Sequence, residues 1–292
     1  MHDQHSLRKI ARVRADLGES PVWEVRNQLL YFVDISGGKI NVLHAHGQVN
    51  TVYQSTARIG ALGLTDKGNL IFTENASVAT LDMRTGEVSR RSAPIHDGDC
   101  YRFNDGANDP QGRFVTGLMD EGSHRQAGAL YRYDSALNAV VICPDVALPN
   151  GVAWSEDGHT LFFVDSVARA IFCAAYSAQG EVGVLKLFVQ TPAELGRPDG
   201  IALDREGGVW VCQFNGGCLL RYDCNGHLSD RLPMPVPRPT SCCFGGDGLE
   251  TLYITTARFA MTPSELEEYP DAGDLYAMRP DVGGIARHVF KE

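Results

Sequence analysis

Residues 150–165 read NGVAWSEDGHTLFFVD: an Asn-Gly pair opening a short apolar strand, an acidic turn closed by Gly158, and a second apolar strand. A D-G turn between two apolar runs is a hairpin signal, because glycine supplies the positive φ that a tight reversal needs. The same pattern recurs on either side. It reads GALGLTDKGNLIFT from Gly60 and NDGANDPQGRFVTG from Asn104, then DGIALDREGGVWVC from Asp199 and TSCCFGGDGLETLYIT from Thr240. A sixth copy, ESPVWEVRNQLLYFVD from Glu19, carries Asn27 where the others carry Gly68, Gly112, Gly158, Gly207 and Gly248. Each of these positions lies eight residues after the start of its copy, and successive starts are 41, 44, 46, 49 and 41 residues apart.

A period of roughly 40–50 residues built from short strands is a propeller signature. In most copies a third strand follows, such as ALYRYD (129–134), AIFCAAY (170–176) or LLRYD (219–223), and then a polar turn and a fourth. The pattern predicts an all-β chain: one six-bladed β-propeller over residues 1–292, with blades starting near 19, 60, 104, 150, 199 and 240. A β-sandwich would space its strands regularly without the long period. Ring closure needs the two ends to meet in one blade, because an unpaired edge strand invites aggregation. KIARVRA (9–15) and IARHVF (285–290) are the candidates, with 9–15 expected to complete the blade that begins at Thr240. Helical patterning is best in TPSELEEY (262–269), where Thr262 can cap a short helix and Pro263 fits its first turn.

The first strand of each blade lines the central axis, so the six residues that open these strands share one mouth of the channel. They are Glu19, Gly60, Asn104, Asn150, Asp199 and Thr240. Four of them, Glu19, Asn104, Asn150 and Asp199, carry side-chain oxygens of the kind that bind hard cations, and two are carboxylates that would otherwise repel. Asn, Asp and Gly are also common turn residues, and Asn150-Gly151 or Asp199-Gly200 taken alone would read as ordinary turns. Their convergence in one register of a closed ring favours a divalent metal at the axis.

Composition bounds the function. Hydrophobic residues are 43% and charged residues 21% of the 292 residues, which is globular composition. A formal net charge of -10 gives no reason to approach nucleic acid or an anionic membrane. A small-molecule partner and a monomer or small homo-oligomer are expected. The first residues lack a continuous apolar segment and no stretch approaches a membrane span, which points to a cytoplasmic protein. The eight cysteines include no CxxC pair and read as reduced thiols packed in strands. The adjacent Cys242 and Cys243 should point to opposite faces. There is no G-x-S-x-G elbow and no H-E-x-x-H; Trp23, Trp154 and Trp210 read as packing between blades.

Read together, LGESPVW (17–23), RFNDGANDPQGRF (102–114), LPNGVAWSEDGHTLFFVDS (148–166), RPDGIALDREGGVWV (197–211), TSCCFGG (240–246) and TTAR (255–258) resemble the SMP-30/gluconolactonase family, which includes regucalcin and bacterial sugar lactonases. The resemblance implies one divalent metal at the axis of a six-bladed propeller, its Glu, Asn and Asp ligands falling on Glu19, Asn150 and Asp199. It also implies that Arg102 and Asn104 contact substrate, with Glu121 as the match to a further substrate-binding Glu. The implied activity is metal-dependent hydrolysis of a sugar lactone to the aldonic acid. All-oxygen ligation suits calcium, magnesium or manganese, and zinc and iron tolerate it. Lactone hydrolysis needs a polarised carbonyl, a water nucleophile and a base, for which Asp199 is the candidate. Two alternatives remain: a metal-dependent esterase or phosphotriesterase, since fold does not fix substrate, and a calcium-binding regulatory propeller of the regucalcin type.

Overall fold

The acidic turns take the backbone conformation that the glycine spacing requires. Gly68, Gly112, Gly158 and Gly207 have φ of 82°, 84°, 74° and 75°, a region that residues with a Cβ avoid. In the first copy the left-handed residue is Gln28 (φ 55°), one step beyond Asn27. The computed structural model describes residues 7–90, 100–121 and 128–292. It contains six four-stranded antiparallel sheets. Their first strands, Gly18–Glu24, Leu62–Leu64, Tyr101–Asn108, Pro149–Trp154, Arg197–Leu203 and Pro239–Gly245, contact one another in turn around an axis. The molecule is a six-bladed β-propeller.

The sixth blade is shared between the two ends of the chain. Pro239–Gly245, Thr251–Thr256 and Leu275–Met278 pair in order, and Arg8–Ala11 adds the outer strand, with Lys9 opposite Tyr276. Just beyond it, the Val13 and Arg14 amides donate to Asp274 Oδ1 at 2.8 and 3.0 Å. The apolar alternation of 285–290 does not make a blade strand, contrary to the expectation, because Arg8–Ala11 already occupies the edge of Leu275–Met278. Instead the segment crosses the far mouth of the channel. The Gly284 amide donates to Leu249 O, Ile285 to Leu203 O and Phe290 to Leu64 O, so the chain runs from blade 6 across to blade 2.

Packing is distributed rather than central. Six buried apolar clusters form, one between each neighbouring pair of blades. Cys242 faces blade 5 beside Trp210, and Cys243 faces blade 1 beside Phe32, so the adjacent cysteines do point to opposite faces, yet both are fully buried. A propeller sheet is covered on both sides, and alternation therefore does not expose every second residue. Trp23 of blade 1 stacks on Tyr253 of blade 6 with ring centroids 5.3 Å apart.

The repeated FVD of blades 1 and 4 fixes the loops that enter the channel mouth. Asp34 accepts from the Asp16 and Leu17 amides, and Asp165 from those of Ala147 and Leu148, just upstream of Glu19 and Asn150. The short helix Pro263–Glu268 forms outside the blades, capped by Thr262 with Glu265 reaching back in a capping box. Among the described residues no helix is long and apolar enough to cross a membrane.

Candidate active site

Five of the six inner strands slip register where they enter the channel. Pairing breaks between Glu19 and Val22, Phe103 and Gly106, Asn150 and Val152, Pro198 and Ile201, and Pro239 and Cys242. A bulge bends its strand and re-aims side chains. Here the bulges include Asn104 and Asp199 and begin immediately after Glu19 and Asn150, and all four side chains are buried. The kink is carried by Ser20 in blade 1 (φ 49°) and Gly151 in blade 4 (φ 43°). A Cβ on Gly151 would lie 2.7 Å from Asp199 O, so only glycine lets the inner strands of blades 4 and 5 close at this level.

The site opens into a cavity of about 270 Å³ whose lining includes all six residues singled out in the sequence: Glu19, Arg102, Asn104, Glu121, Asn150 and Asp199. A hydrogen-bond chain runs around the rim. Arg102 Nε donates to Glu121 Oε1 at 2.5 Å, and its Nη1 donates to Asn104 Oδ1 at 2.7 Å. Asn104 Nδ2 donates to Pro149 O (3.0 Å) and to Asn150 Oδ1 (2.6 Å). Asn150 Nδ2 then donates to Ser166 Oγ at 2.9 Å, and Ser166 Oγ to Pro198 O at 2.6 Å. The guanidinium can only donate, so the direction of the chain sets both amide orientations. It locks blades 3, 4 and 5 together and leaves Asp199 outside it.

The floor concentrates negative charge. Burial, and then repulsion from Asp199 and Asp105, hold the Glu19 carboxyl well above the usual carboxylate range. The Asp199 carboxyl is pushed well up by burial and by Asp105. Asp105 is raised by burial alone, opposed by the Arg287 charge and by hydrogen bonds from the Gly106 and Gly151 amides. The Arg102 guanidinium is lowered to about 10 by burial and the neighbouring Arg58. Asp199 Oδ1 is buried without a hydrogen-bond partner, and the Glu19 carboxylate receives the Ser20 amide at 3.1 Å. Among the described residues no three Asp, Glu, His or Cys side chains gather as a metal cluster; a three-ligand set arises here only by counting the Asn150 carboxamide. Two carboxylates and an amide fit a hard divalent ion.

Residues 17–258 match the family model described as the SMP-30/Gluconolactonase/LRE-like region. The chain belongs to this family. The 6-deoxy-6-sulfogluconolactonase of Pseudomonas putida is 35% identical over 288 residues, 98% of either chain. The L-arabinolactonase of Azospirillum brasilense is 32% identical over 294 residues, 99% of this chain and 97% of the relative. Among solved structures, the calcium-binding protein regucalcin of Agrobacterium tumefaciens shares the fold with a TM-score of 0.92 at 22% identity, covering 99% of this chain and 98% of that one.

In this SMP-30/gluconolactonase-family propeller, some mouth residues matter that the sequence reading did not single out. Asp105 stands one step beyond Asn104 and fastens the Gly151 amide at 2.8 Å. Asp before Gly, as in N-D-G, is a common turn pair, and the sequence alone does not set it apart. Ser166 follows the Asp165 latch and orients the Asn150 amide; its place after a repeated FVD was the available signal. Arg58 pairs with the second oxygen of Glu121, so that one carboxylate spans two guanidiniums. Nothing in the sequence around Arg58 marked it.

Proposed function

We propose that the chain hydrolyses a sugar lactone to the corresponding aldonic acid at the mouth formed by Glu19, Asn150 and Asp199, with one divalent cation as cofactor. The observation that carries this reading is the Asp199 carboxylate, buried, without a partner at Oδ1, and on the floor of a cavity walled by hydrogen-bond donors. Family relatives named for the hydrolysis of sugar lactones support the substrate class. The Agrobacterium neighbour, named a calcium-binding protein, supports the cation.

Glu19, Asn150 and Asp199 would hold the cation, which supplies Lewis-acid polarisation of the lactone carbonyl and a lowered pKa for water beside it. Asp199 takes a proton from the attacking water at its carboxylate as the new C–O bond forms. The ring C–O bond then breaks, its electron pair stays on the ring oxygen, and that oxygen takes up the proton. Arg102 and Asn104 present donors to the sugar oxygens from the rim, and Glu121 holds the Arg102 fork in place. Leu17, Met119 and Leu148 line the same cavity and shield the reacting atoms from bulk water.

The test is a panel of aldonolactones, followed by proton release, against calcium, zinc, magnesium, manganese and iron. Turnover of at least one lactone, abolished by a chelator and restored by the metal, is expected. Stoichiometric cation binding with no lactone hydrolysed under any metal would replace this reading with a cation-binding propeller.

A further inference from the structure

The cavity mouth gathers arginines although the chain carries a formal net charge of -10. Three guanidiniums, Arg58, Arg102 and Arg197, stand at this mouth, and Glu121 is the carboxylate that answers the first two, one oxygen to each. Arg197 differs from them. It lines the cavity, its side chain is exposed, and it makes no ion pair or side-chain hydrogen bond with any described residue. The neighbouring Arg238 shows what a structural arginine looks like here: its guanidinium lies over the Phe214 ring and its Nε donates to Asn215 Oδ1 at 2.6 Å.

Position gives Arg197 a direction. It opens the inner strand of blade 5, two residues before Asp199, and both residues line the same cavity. Two residues of strand rise roughly 7 Å. A sugar lactone whose carbonyl reaches the Asp199 floor therefore has room to extend its remaining carbons as far as the Arg197 lip of the same cavity. Phe214, which lies opposite Arg197 on the neighbouring strand, and Phe259 line the cavity too and give it apolar surface beside the guanidinium. A planar, permanently charged fork is suited to the oxygens of a carboxylate, sulfonate or phosphate. A neutral hydroxyl uses only one of its donors.

We propose that Arg197 forms an oxyanion subsite, and that the preferred substrate is a sugar lactone bearing an anionic group on the carbon chain remote from the lactone carbonyl. This rests on the lactonase reading above. Arg197 touches substrate but no reacting atom, so it sets specificity and leaves the chemistry to the floor.

The experiment compares gluconolactone with gluconolactone phosphorylated or sulfonated at its terminal carbon, using the full chain loaded with its most active metal. The wild type is expected to favour the charged lactones in kcat/KM, mainly through KM. Arg197→Gln should lower the charged-to-neutral ratio about ten- to a hundredfold, the scale of a lost charge-assisted hydrogen bond, and Arg197→Lys should recover part of it. Higher salt should erode the wild-type preference. The two charged lactones distinguish a subsite for phosphate from one for sulfonate. A ratio near one in the wild type, or unchanged in Arg197→Gln, overturns the proposal while leaving lactone hydrolysis in place. If no lactone is turned over, calorimetric binding of gluconate against its terminal phosphate decides the subsite separately: tighter binding of the phosphate that is lost in Arg197→Gln upholds it, and equal binding overturns it.

Discussion

At one mouth of the channel the inner strands turn Glu19, Asn104, Asn150 and Asp199 into a cavity of about 270 Å³; at the other, the same strands present Ala107, Val152, Ile201 and Phe244, and the space beneath the C-terminal segment is about 40 Å³. The two mouths lie only a few residues apart along each strand. At the first, bulges aim polar side chains at the axis and leave Asp199 Oδ1 without a hydrogen-bond partner. At the second, backbone groups at the strand ends are answered by more backbone, with Leu203, Leu64 and Gly112 carbonyls accepting from Ile285, Phe290 and Lys291. Ordered backbone polar groups need partners, and the segment supplies them while closing that end to water. Among the described residues, the buried carboxylates Glu19 and Asp199 line the larger cavity at the first mouth. Arg287 joins the two ends: its guanidinium donates to Cys242 O at 3.1 Å, and its charge opposes the rise of the Asp105 carboxyl.

If the mouths divide function from stability in this way, changes at each should move one and spare the other. The largest effect is expected from Asp199→Asn. Loss of the base should lower kcat by about 10²–10⁴-fold, together with metal occupancy. The melting temperature of the metal-free protein should not fall, because one of three mutually repelling buried carboxylates has gone. Retention of most kcat with metal bound would remove Asp199 as base, and a fall of many degrees would give the floor a structural role.

At the sealed end, Phe290 is 1% exposed and packs into the cluster between blades 2 and 3. Phe290→Ala should cost about 3–5 kcal/mol of stability, read from denaturant unfolding, and leave kcat per folded molecule intact. Unaltered stability would mean that the segment is an ornament rather than a seal.

The smallest effect sharpens the comparison within the open mouth. Arg102 binds the rim, and Arg102→Ala should raise KM by about tenfold or more while lowering kcat far less than Asp199→Asn, the behaviour of binding shared by ground and transition states. Equal loss in kcat would move Arg102 from orientation to chemistry.

Much of this was legible before any fold was seen. The turn glycines recur at a fixed offset, and that fixed register singled out Glu19, Asn104, Asn150 and Asp199 as one set. Other features were not. IARHVF alternates like a strand, but pairing requires a free edge, and only the folded ring shows that Arg8–Ala11 has taken it. Asp105 and Asn104 are neighbours in sequence; that both are buried at the mouth depends on a bulge that spacing does not reveal.

The sequence by itself therefore determined the number of blades, their register and the identity of the polar ring, because these follow from periodicity and from the two-residue alternation of strands. The tertiary structure alone decided which carboxylate lacks a partner, how one chain of hydrogen bonds orients two amides, and which end of the channel stays open. Those properties belong to groups brought together from different blades, more than forty residues apart in Asn104 and Asn150 and far more in Glu19 and Asp199. Burial and mutual repulsion act between such groups only once the ring has closed.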